Sequence, residues 1–207
     1  MKSFAEIAFT PAVQALQSVT GSRAAYARMQ AAGAPGEGLD DPTAAFLAEA
    51  DSFYLATVSE TGWPYVQHRG GPRGFLRVLS PTRLAFADFR GNRQMVSAGN
   101  LSRNDRVSIL VMDYPNRRRL KLLGRLRFVD AALADPALLA AVALPGYPGR
   151  IERVADIALE AMDWNCPQHI TPRFTLEQVQ AASKPLHDRI ARLEAELAEA
   201  RKPRPRE

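Results

Sequence analysis

The sequence has little cysteine and no long apolar run, and both features exclude classes of protein. Its single cysteine, Cys166, excludes an internal disulfide framework and every Cys-x-x-Cys redox or zinc motif. No apolar run approaches the ~18 residues that a membrane helix requires, and the first residues mix charge with apolar side chains, unlike a secretory signal. We therefore expect a cytoplasmic protein with no membrane partner. Neither Gly-x-Gly-x-x-Gly nor a Walker sequence occurs, which disfavours nucleotide binding of the Rossmann or P-loop kind.

Length and composition are those of a globular protein, with 207 residues of which 46% are hydrophobic and 24% charged. We expect one domain with extensions: a helical extension and linker (1–42), a barrel domain (43–180), and a heptad helix with a frayed tail (181–207). The net charge of +5 raises the possibility of nucleic-acid binding. The arginines are scattered, however, and their densest run, Arg117–Arg119, falls where a hairpin turn is expected. We predict a solvated turn there and no nucleic-acid partner.

Helical patterns occur at the two ends of the chain and at a few places within it. Residues 4–32 have the spacing of one or two amphipathic helices, with Pro11 in a first turn. A loop rich in proline, glycine and acids follows at 33–42, and Asp41 or Thr43 is expected to cap the next short helix. Further short helices are predicted at Asn92–Leu101 and at Pro136–Leu144.

Between Phe53 and Asp130 the chain is dominated by short, alternating apolar segments joined by tight connections. This pattern favours a six-stranded antiparallel β-barrel over a doubly wound sheet. Ile151–Met162 is ambiguous, because its composition suits a helix or a closing strand; a strand is favoured for Asp156–Met162. The predicted fold class is therefore mainly β with flanking helices.

Two polar segments that contain glycine lie at strand ends, HRGG at His68–Gly71 and DFRGNR at Asp88–Arg93. Asn92 is predicted to cap a helix whose first turn holds Arg93 and Gln94, and such a helix start binds anions readily. Glycines in both segments would let an anionic ligand approach the backbone. The alternatives are a plain strand-to-helix turn with a surface arginine, and a glycine bulge beside a hydrogen-bonded barrel histidine.

The C-terminal part of the chain carries two further patterns. Cys166 and His169 in NCPQHITPRF could pair as nucleophile and base or as metal ligands. No orienting acid or further ligand accompanies them, so neither interpretation is favoured. Beyond them, apolar residues spaced by four, three and four predict a short coiled coil; the alternative is a helix that lies on its own domain. The residues of this apolar stripe are Leu186, Ile190, Leu193 and Leu197.

The ordered set of motifs resembles the flavoproteins related to pyridoxamine 5′-phosphate oxidase. The resemblance is carried by FLAEADSFYLATVSETGWPYVQHRGG, RLAFADFRGNRQ and RVSILVMDYPNRRRLKLLGRLRFV in that order, and WNCPQHITPRF resembles one branch of the family. It implies a split β-barrel that binds FMN, usually a homodimer with the cofactor at or near the subunit interface. It also implies an oxidoreductase with a small-molecule substrate. The alternatives kept open are a deazaflavin in place of FMN and a non-catalytic flavin- or haem-binding storage or sensor protein.

The resemblance also implies cofactor-binding residues, some of them for the phosphate and others for the ring or the ribityl chain. The phosphate set is Gln67, His68, Arg69, Asn92, Arg93 and Gln94. The set near the ring is Phe86, Ala87, Asp88 and Lys121, with Lys121 expected from the partner subunit. We further expect Gln168 and His169 to reach the flavin across the dimer; the alternative is a packed C-terminal loop. Where vitamin B6 oxidases carry Ser-Arg-Lys, this chain has Gly91, Asn92 and Arg93, and its LHDR at Leu186–Arg189 is interpreted as a coincidence. Activity on pyridoxine phosphates is therefore not expected.

Overall fold

The computed structural model describes residues 1–33, 36, 38–165 and 167–201. Seven strands form one antiparallel sheet in the order β2-β1-β5-β6-β7-β4-β3. The strands are β1 (Ser52–Val58), β2 (Pro64–Gly70), β3 (Arg77–Ser80), β4 (Arg83–Phe89), β5 (Arg106–Asp113), β6 (Arg118–Asp130) and β7 (Ile151–Asn165). The predicted fold class, mainly β with flanking helices, is confirmed, with seven strands in place of six.

Seven helices flank the sheet in the part of the chain that the structure describes: α1 (Phe4–Ala8), α2 (Pro11–Val19), α3 (Arg23–Ala31), α4 (Asp41–Ala48), α5 (Val96–Leu101), α6 (Pro136–Val142) and α7 (Leu176–Ala200). Three helices, rather than one or two, therefore precede the linker, and Pro11 does lie in a first turn. The predicted cap of α4 is wrong. Asp40 caps this helix, because its carboxylate accepts a hydrogen bond from the Thr43 backbone N–H at 2.9 Å. None of these helices is long and apolar enough to cross a bilayer.

The sheet curls so that distant strands share one core. The rings of Phe53 on β1 and Phe86 on β4 pack edge to face, with centroids 5.3 Å apart. Leu55, Leu120 and Leu122 are fully buried in the same cluster. Since β1 and β4 are separated by three strands in the sheet order, this contact is possible only because the sheet rolls into a barrel.

The barrel is open along one side. β3 pairs with β4 only as far as Ala85, so Phe86–Phe89 pair with β7 alone. β2 is the other edge of the sheet and pairs only with β1. The opening therefore lies between β2 and the end of β4, and it provides the space for the candidate site.

The ambiguous segment after α6 is a strand, and it is longer than the Asp156–Met162 segment predicted. β7 pairs with both β6 and β4 and is thus central in the sheet. Its register with β6 shifts between Leu123 and Gly124. A Cβ at Gly124 would lie 2.5 Å from the Ala158 carbonyl oxygen, so this close approach requires glycine.

The C-terminal helix α7 is longer than the predicted heptad segment and contains Pro185. Its heptad residues, from Leu186 to Leu197, keep between 43% and 66% of their surface exposed. The helix therefore does not bury this apolar stripe on its own domain, which argues against the alternative considered above. Residues 202–207 of the expected frayed tail lie outside the described residues.

Candidate functional site

A small polar cleft lies in the opening between β2, the loop that joins β4 to α5, and the start of β7. Its volume is about 70 Å³. We call it the β2–β4 cleft. Six of the predicted cofactor-binding residues line it together with Glu152, Arg153 and Ser97; these six are Gln67, Arg69, Asp88, Asn92, Arg93 and Gln94. The two glycine-containing motifs, some twenty residues apart in the chain, thus meet at one place.

β2 contributes Gln67 and Arg69 because side chains alternate between the two faces of a strand. Arg69 pairs across the ladder with the buried Phe53, and Gln67 with the buried Leu55, so both point into the barrel. His68, which lies between them, points outwards. It is exposed and packs against Tyr54, with ring centroids 5.8 Å apart. In this chain His68 is therefore not in the cleft.

A buried carboxylate organises the back wall of the cleft. Asp88 is 5% exposed, and its Oδ1 accepts a hydrogen bond from Arg69 Nη1 at 2.8 Å. Its Oδ2 accepts one from Arg153 Nε at 2.9 Å. The Arg153 guanidinium stacks 4.2 Å from the centroid of the Phe128 ring, which fixes its plane. Arg69 and Arg153 thus share the single negative charge of Asp88, so the back wall carries one net positive charge.

One hydrogen-bond donor of the Arg69 guanidinium is unpaired. Its Nε is buried and has no hydrogen-bond partner among the described residues. A buried polar group without a partner costs about 1–3 kcal/mol, so such groups in native structures often indicate a ligand or a water. This atom belongs to a residue that lines the cleft.

The loop from β4 to α5 differs from the sequence prediction. α5 begins at Val96, so Asn92 is not its N-cap, and Arg93 and Gln94 precede the first turn. The side chain of Asn92 instead accepts a hydrogen bond from the Gln94 backbone N–H at 3.2 Å, which closes a local turn. Arg93 and Met95 both have φ of 59°. Left-handed residues other than glycine each cost about 1–2 kcal/mol, and they cluster at functional sites.

Two hydrogen bonds anchor α5 to the barrel and so fix the end of this loop. Ser97 Oγ donates to Gln67 Oε1 on β2 at 2.9 Å. Asn100 Nδ2 donates to Thr57 Oγ1 on β1 at 2.9 Å, and both of these residues are buried. Because Gln67 is held by Ser97, one lining residue of the cleft is positioned by another.

The outer rim of the cleft is an ion pair that is accessible to water. Arg93 Nη2 donates to Glu152 Oε1 at 2.5 Å, and Arg90 Nε lies 3.7 Å from the same oxygen. The hydrogen bond from Arg93 lowers the pKa of Glu152, which therefore stays ionised near neutral pH. The side chain of Arg93 is 56% exposed, so it can move towards an incoming anion.

The charges and donors of the cleft suit a phosphate group. Three arginines, Arg69, Arg93 and Arg153, face two carboxylates, Asp88 and Glu152, and this leaves one net positive charge. Guanidinium groups bind phosphate oxygens with two hydrogen bonds. The volume, however, is far below the roughly 300–1,000 Å³ of sites that enclose a whole ligand. The residues present thus fit the phosphate end of FMN and not its ring.

The other predicted cofactor-binding residues lie elsewhere in the chain. Phe86 is in the barrel core, and Ala87 belongs to the small cluster that packs against α6. Lys121 Nζ donates to Asn165 Oδ1 at 2.7 Å and does not line the cleft. Gln168 and His169 are exposed in a turn after β7. None of these five lines the cleft.

The sequence raised the pairing of Cys166 with His169 as nucleophile and base or as metal ligands. Cys166 lies outside the described residues, so this pairing stays untested. Among the residues that are described, no group of three His, Cys, Asp or Glu side chains is placed to hold a metal ion.

Sequence reasoning missed Arg153 and Glu152, which complete the cleft. Both lie at the start of β7, in the segment interpreted as ambiguous between helix and strand. Asp88 pairs with Arg153 in the β4–β7 ladder. Extending the predicted strand back to Ile151 would have included both residues, but only the β4–β7 register places Arg153 beside Asp88.

Comparison with known proteins supports the resemblance noted in the sequence. A sequence model described as pyridoxamine 5′-phosphate oxidase matches residues 39–155, more than half of the chain. The chain belongs to the pyridoxamine 5′-phosphate oxidase family. The matched region runs from the end of the linker to β7 and includes every described residue of the β2–β4 cleft. A search of curated proteins found no match.

The solved structures that resemble this chain include proteins with different names and roles. HupZ from Group A Streptococcus is 14% identical, with a TM-score of 0.48, covering 66% of this chain and 99% of that one. A putative pyridoxamine 5′-phosphate oxidase from Lactobacillus delbrueckii is 22% identical, with a TM-score of 0.45 and coverages of 62% and 96%. HutZ, the heme storage protein from Vibrio cholerae, is 17% identical, with a TM-score of 0.41 and coverages of 61% and 94%.

Proposed function

We propose that this chain is an FMN-binding flavoprotein and an oxidoreductase that acts on a small molecule. The observation that carries the proposal is the convergence of Arg69, Arg93 and Arg153 around one cleft at the barrel opening. Membership of the pyridoxamine 5′-phosphate oxidase family supports it. The flavin, when bound, would supply the hydride or electron transfer.

The residues of the cleft would then have separate tasks. Arg69 and Arg153 are fixed by Asp88 and provide a rigid positive wall. Arg93 is exposed and paired with Glu152, so it would exchange that carboxylate for a phosphate oxygen. Gln67, held by Ser97, would offer an amide donor without a charge. A phosphate dianion would thus meet donors that are already in place, which limits the entropy lost on binding.

A homodimer is part of the proposal because the site of one chain is incomplete. The cleft holds about 70 Å³, which leaves the flavin ring outside it. A second subunit would cover the ring, and Lys121, Gln168 and His169 would reach it from there. The exposed apolar stripe of α7 would help to hold the subunits together. In this arrangement residues 1–42 would act as the extension and 43–180 as the cofactor-binding domain, and the segment 181–207 would carry the dimerisation helix.

A protein that binds flavin without turnover is the second candidate. Both carboxylates of the cleft are engaged by arginines, so neither is free to act as a proton donor or acceptor. Haem fits less well, because it needs an axial ligand such as histidine. Of the three histidines in the sequence, none lines the cleft.

The test is a titration of the purified, flavin-free protein with FMN. Binding is monitored through the quenching of flavin fluorescence. Arg93→Gln is expected to weaken binding about tenfold, in line with the loss of one charge-assisted hydrogen bond. Arg103→Gln is the matched control, since Arg103 is exposed and pairs only loosely with Glu60, at 3.6 Å. Equal affinity in both variants would refute the phosphate assignment. Anaerobic addition of NADH or NADPH then separates the two candidates, because the absorbance of the bound flavin is expected to bleach only in an oxidoreductase.

A further inference from the structure

A second and larger cavity lies apart from the cleft. Its volume is about 560 Å³, and its walls come mainly from α4, the β5–β6 hairpin and the segment that leads into α7. We call it the hairpin cavity. No residue lines both the hairpin cavity and the β2–β4 cleft. Its size falls within the roughly 300–1,000 Å³ of sites that enclose small molecules.

The floor of the hairpin cavity is apolar. Phe46 of α4 and Val111 and Met112 of β5 line it. Phe46 is held in place by the Trp164 ring, which packs edge to face with a centroid distance of 4.7 Å. Phe174 also lines the cavity and is 62% exposed. Aromatic and thioether side chains of this kind form good contacts with a flat ring.

Two of the three arginines in the lining are already paired. Arg118 donates to Asp113 Oδ2 from Nε at 3.0 Å and from Nη2 at 2.7 Å. Burial alone would raise the pKa of Asp113, but hydrogen bonds from Asn116 and Arg118 outweigh it and lower this pKa, so the pair stays charged. Arg73 lies 3.3 Å from Glu49. These four charges cancel within the wall of the cavity.

The third arginine, Arg173, is available. Its guanidinium lies 4.8 Å from the centroid of the Tyr114 ring, and no carboxylate of the described residues forms an ion pair with it. A hydrogen bond with Tyr54 raises the pKa of Tyr114, so its hydroxyl stays protonated. The remaining acid in the lining, Asp51, accepts a hydrogen bond from the Ser52 hydroxyl at 2.8 Å and forms no ion pair with the described residues. The lining thus holds three arginines and three carboxylates, and a preference for an anionic ligand depends on Arg173, whose guanidinium lies against an aromatic ring and has no carboxylate partner.

We propose that the hairpin cavity binds a flat aromatic or heteroaromatic small molecule that carries one acidic group. The ring would pack on Phe46 and Met112, and the acid would accept hydrogen bonds from Arg173. This inference does not rest on flavin binding, because the two sites share no residue. A test of ligand binding in the hairpin cavity therefore gives a result that does not depend on the proposed function.

The test compares three ligands of the same shape and different charge: 1-naphthoate, 1-naphthalenemethanol and 1-naphthylmethylamine. Binding to the full chain is measured by calorimetry. We expect the carboxylate to bind best and the amine worst. Arg173→Gln is expected to weaken 1-naphthoate about tenfold, as for a charge-assisted hydrogen bond, and to leave the alcohol unchanged. Arg192→Gln on α7, outside the cavity lining, is the matched control and should change neither.

A second variant tests the cavity itself. Ala45 lines it and is exposed, so Ala45→Trp should occupy part of the space beside Phe46, weaken binding of all three ligands and leave the thermal midpoint near that of the wild type. The proposal is overturned if the wild type binds none of the ligands saturably, or binds all three equally. It is also overturned if Ala45→Trp, while folded, still binds them with wild-type affinity.

Discussion

The Asp88 carboxylate on β4 accepts a hydrogen bond from the Arg69 guanidinium on β2, at 2.8 Å, across the opening of the barrel. No ladder pairing joins these two strands. The ion pair therefore bridges the edge at which the sheet is split, and it does so with a carboxylate that is only 5% exposed. Arg153 on β7 binds the other carboxylate oxygen, so three strands meet at one side chain.

Asp88→Asn is expected to destabilise the fold by about 3 kcal/mol, because removing one partner from a buried ion pair leaves the other charges uncompensated. Here two guanidinium groups would face each other with no anion between them. Asp156→Asn is a matched control: Asp156 also binds two arginines, but Arg83 and Arg127 are 44% and 72% exposed. We expect it to cost about 1 kcal/mol. Denaturant unfolding measures both, and an equal cost would refute a special role for Asp88.

Glu152→Gln is expected to tighten FMN binding about two- to fivefold. The carboxylate competes with phosphate for Arg93, and an exposed ion pair of this kind has a modest effect on affinity. Fluorescence titration measures the change. Glu60→Gln, in the exposed pair with Arg103, removes the same charge elsewhere and should leave the affinity unchanged. Weaker binding by Glu152→Gln would mean that Glu152 orients Arg93 rather than competing for it.

Period-two patterns in the sequence were sufficient to predict most of the barrel. Leu120, Leu122 and Leu126 recur at even spacing in the sequence, and all three are buried on one face of β6. The same rule, applied to β2, would have separated Gln67 and Arg69 from His68, because adjacent residues point to opposite faces. His68 was grouped with them through its place in the motif, and the structure places it on the outer surface.

The geometry of the cleft depended on features that a local pattern does not contain. Asn92 is a good capping residue by type, yet the chain takes two left-handed residues, Arg93 and Met95, before α5 begins. The hydrogen bonds of Ser97 and Asn100 to the barrel set where that helix starts. Such long-range contacts override local preference. Arg153 was missed for the same reason, since its role follows only from the β4–β7 register.

Gly124→Ala is expected to destabilise the protein by about 1–3 kcal/mol, as overpacking does. The added Cβ would lie 2.5 Å from the Ala158 carbonyl oxygen, and neither backbone can move without breaking the β6–β7 ladder. Gly99→Ala in α5 is the matched control, because nothing lies within 4 Å of its Cβ position. It should be neutral or stabilise by up to about 1 kcal/mol. A neutral Gly124→Ala variant in thermal unfolding would contradict the register described here.

Stability is expected to fall in acid partly through Asp156. Burial alone would raise the pKa of this carboxyl group, but hydrogen bonds from Arg83 and Arg127 outweigh it and lower the pKa below its ordinary value of 3.8. Its contribution is therefore present above the unfolded-state pKa and is lost as the pH falls through the folded-state pKa. The free energy of unfolding, measured by urea between about pH 5 and pH 2, should decline less steeply in Asp156→Asn. Parallel curves for the two proteins would exclude this contribution.

The apolar stripe of α7 provides the last prediction, which concerns the proposed homodimer. Ile190 and Leu193 are 52% and 43% exposed in the single chain, and α7 has no buried residue. The double variant Ile190→Glu/Leu193→Glu should therefore stay folded but sediment as a monomer, with a thermal midpoint that is no longer raised by association. Ala195→Glu, on the opposite side of the helix, is the control and should remain dimeric. Because the cleft of one chain holds only about 70 Å³, the monomer should also lose at least about tenfold in FMN affinity. A dimeric double variant would show that the stripe is not the interface, and a monomer with full affinity would show that one chain completes the site.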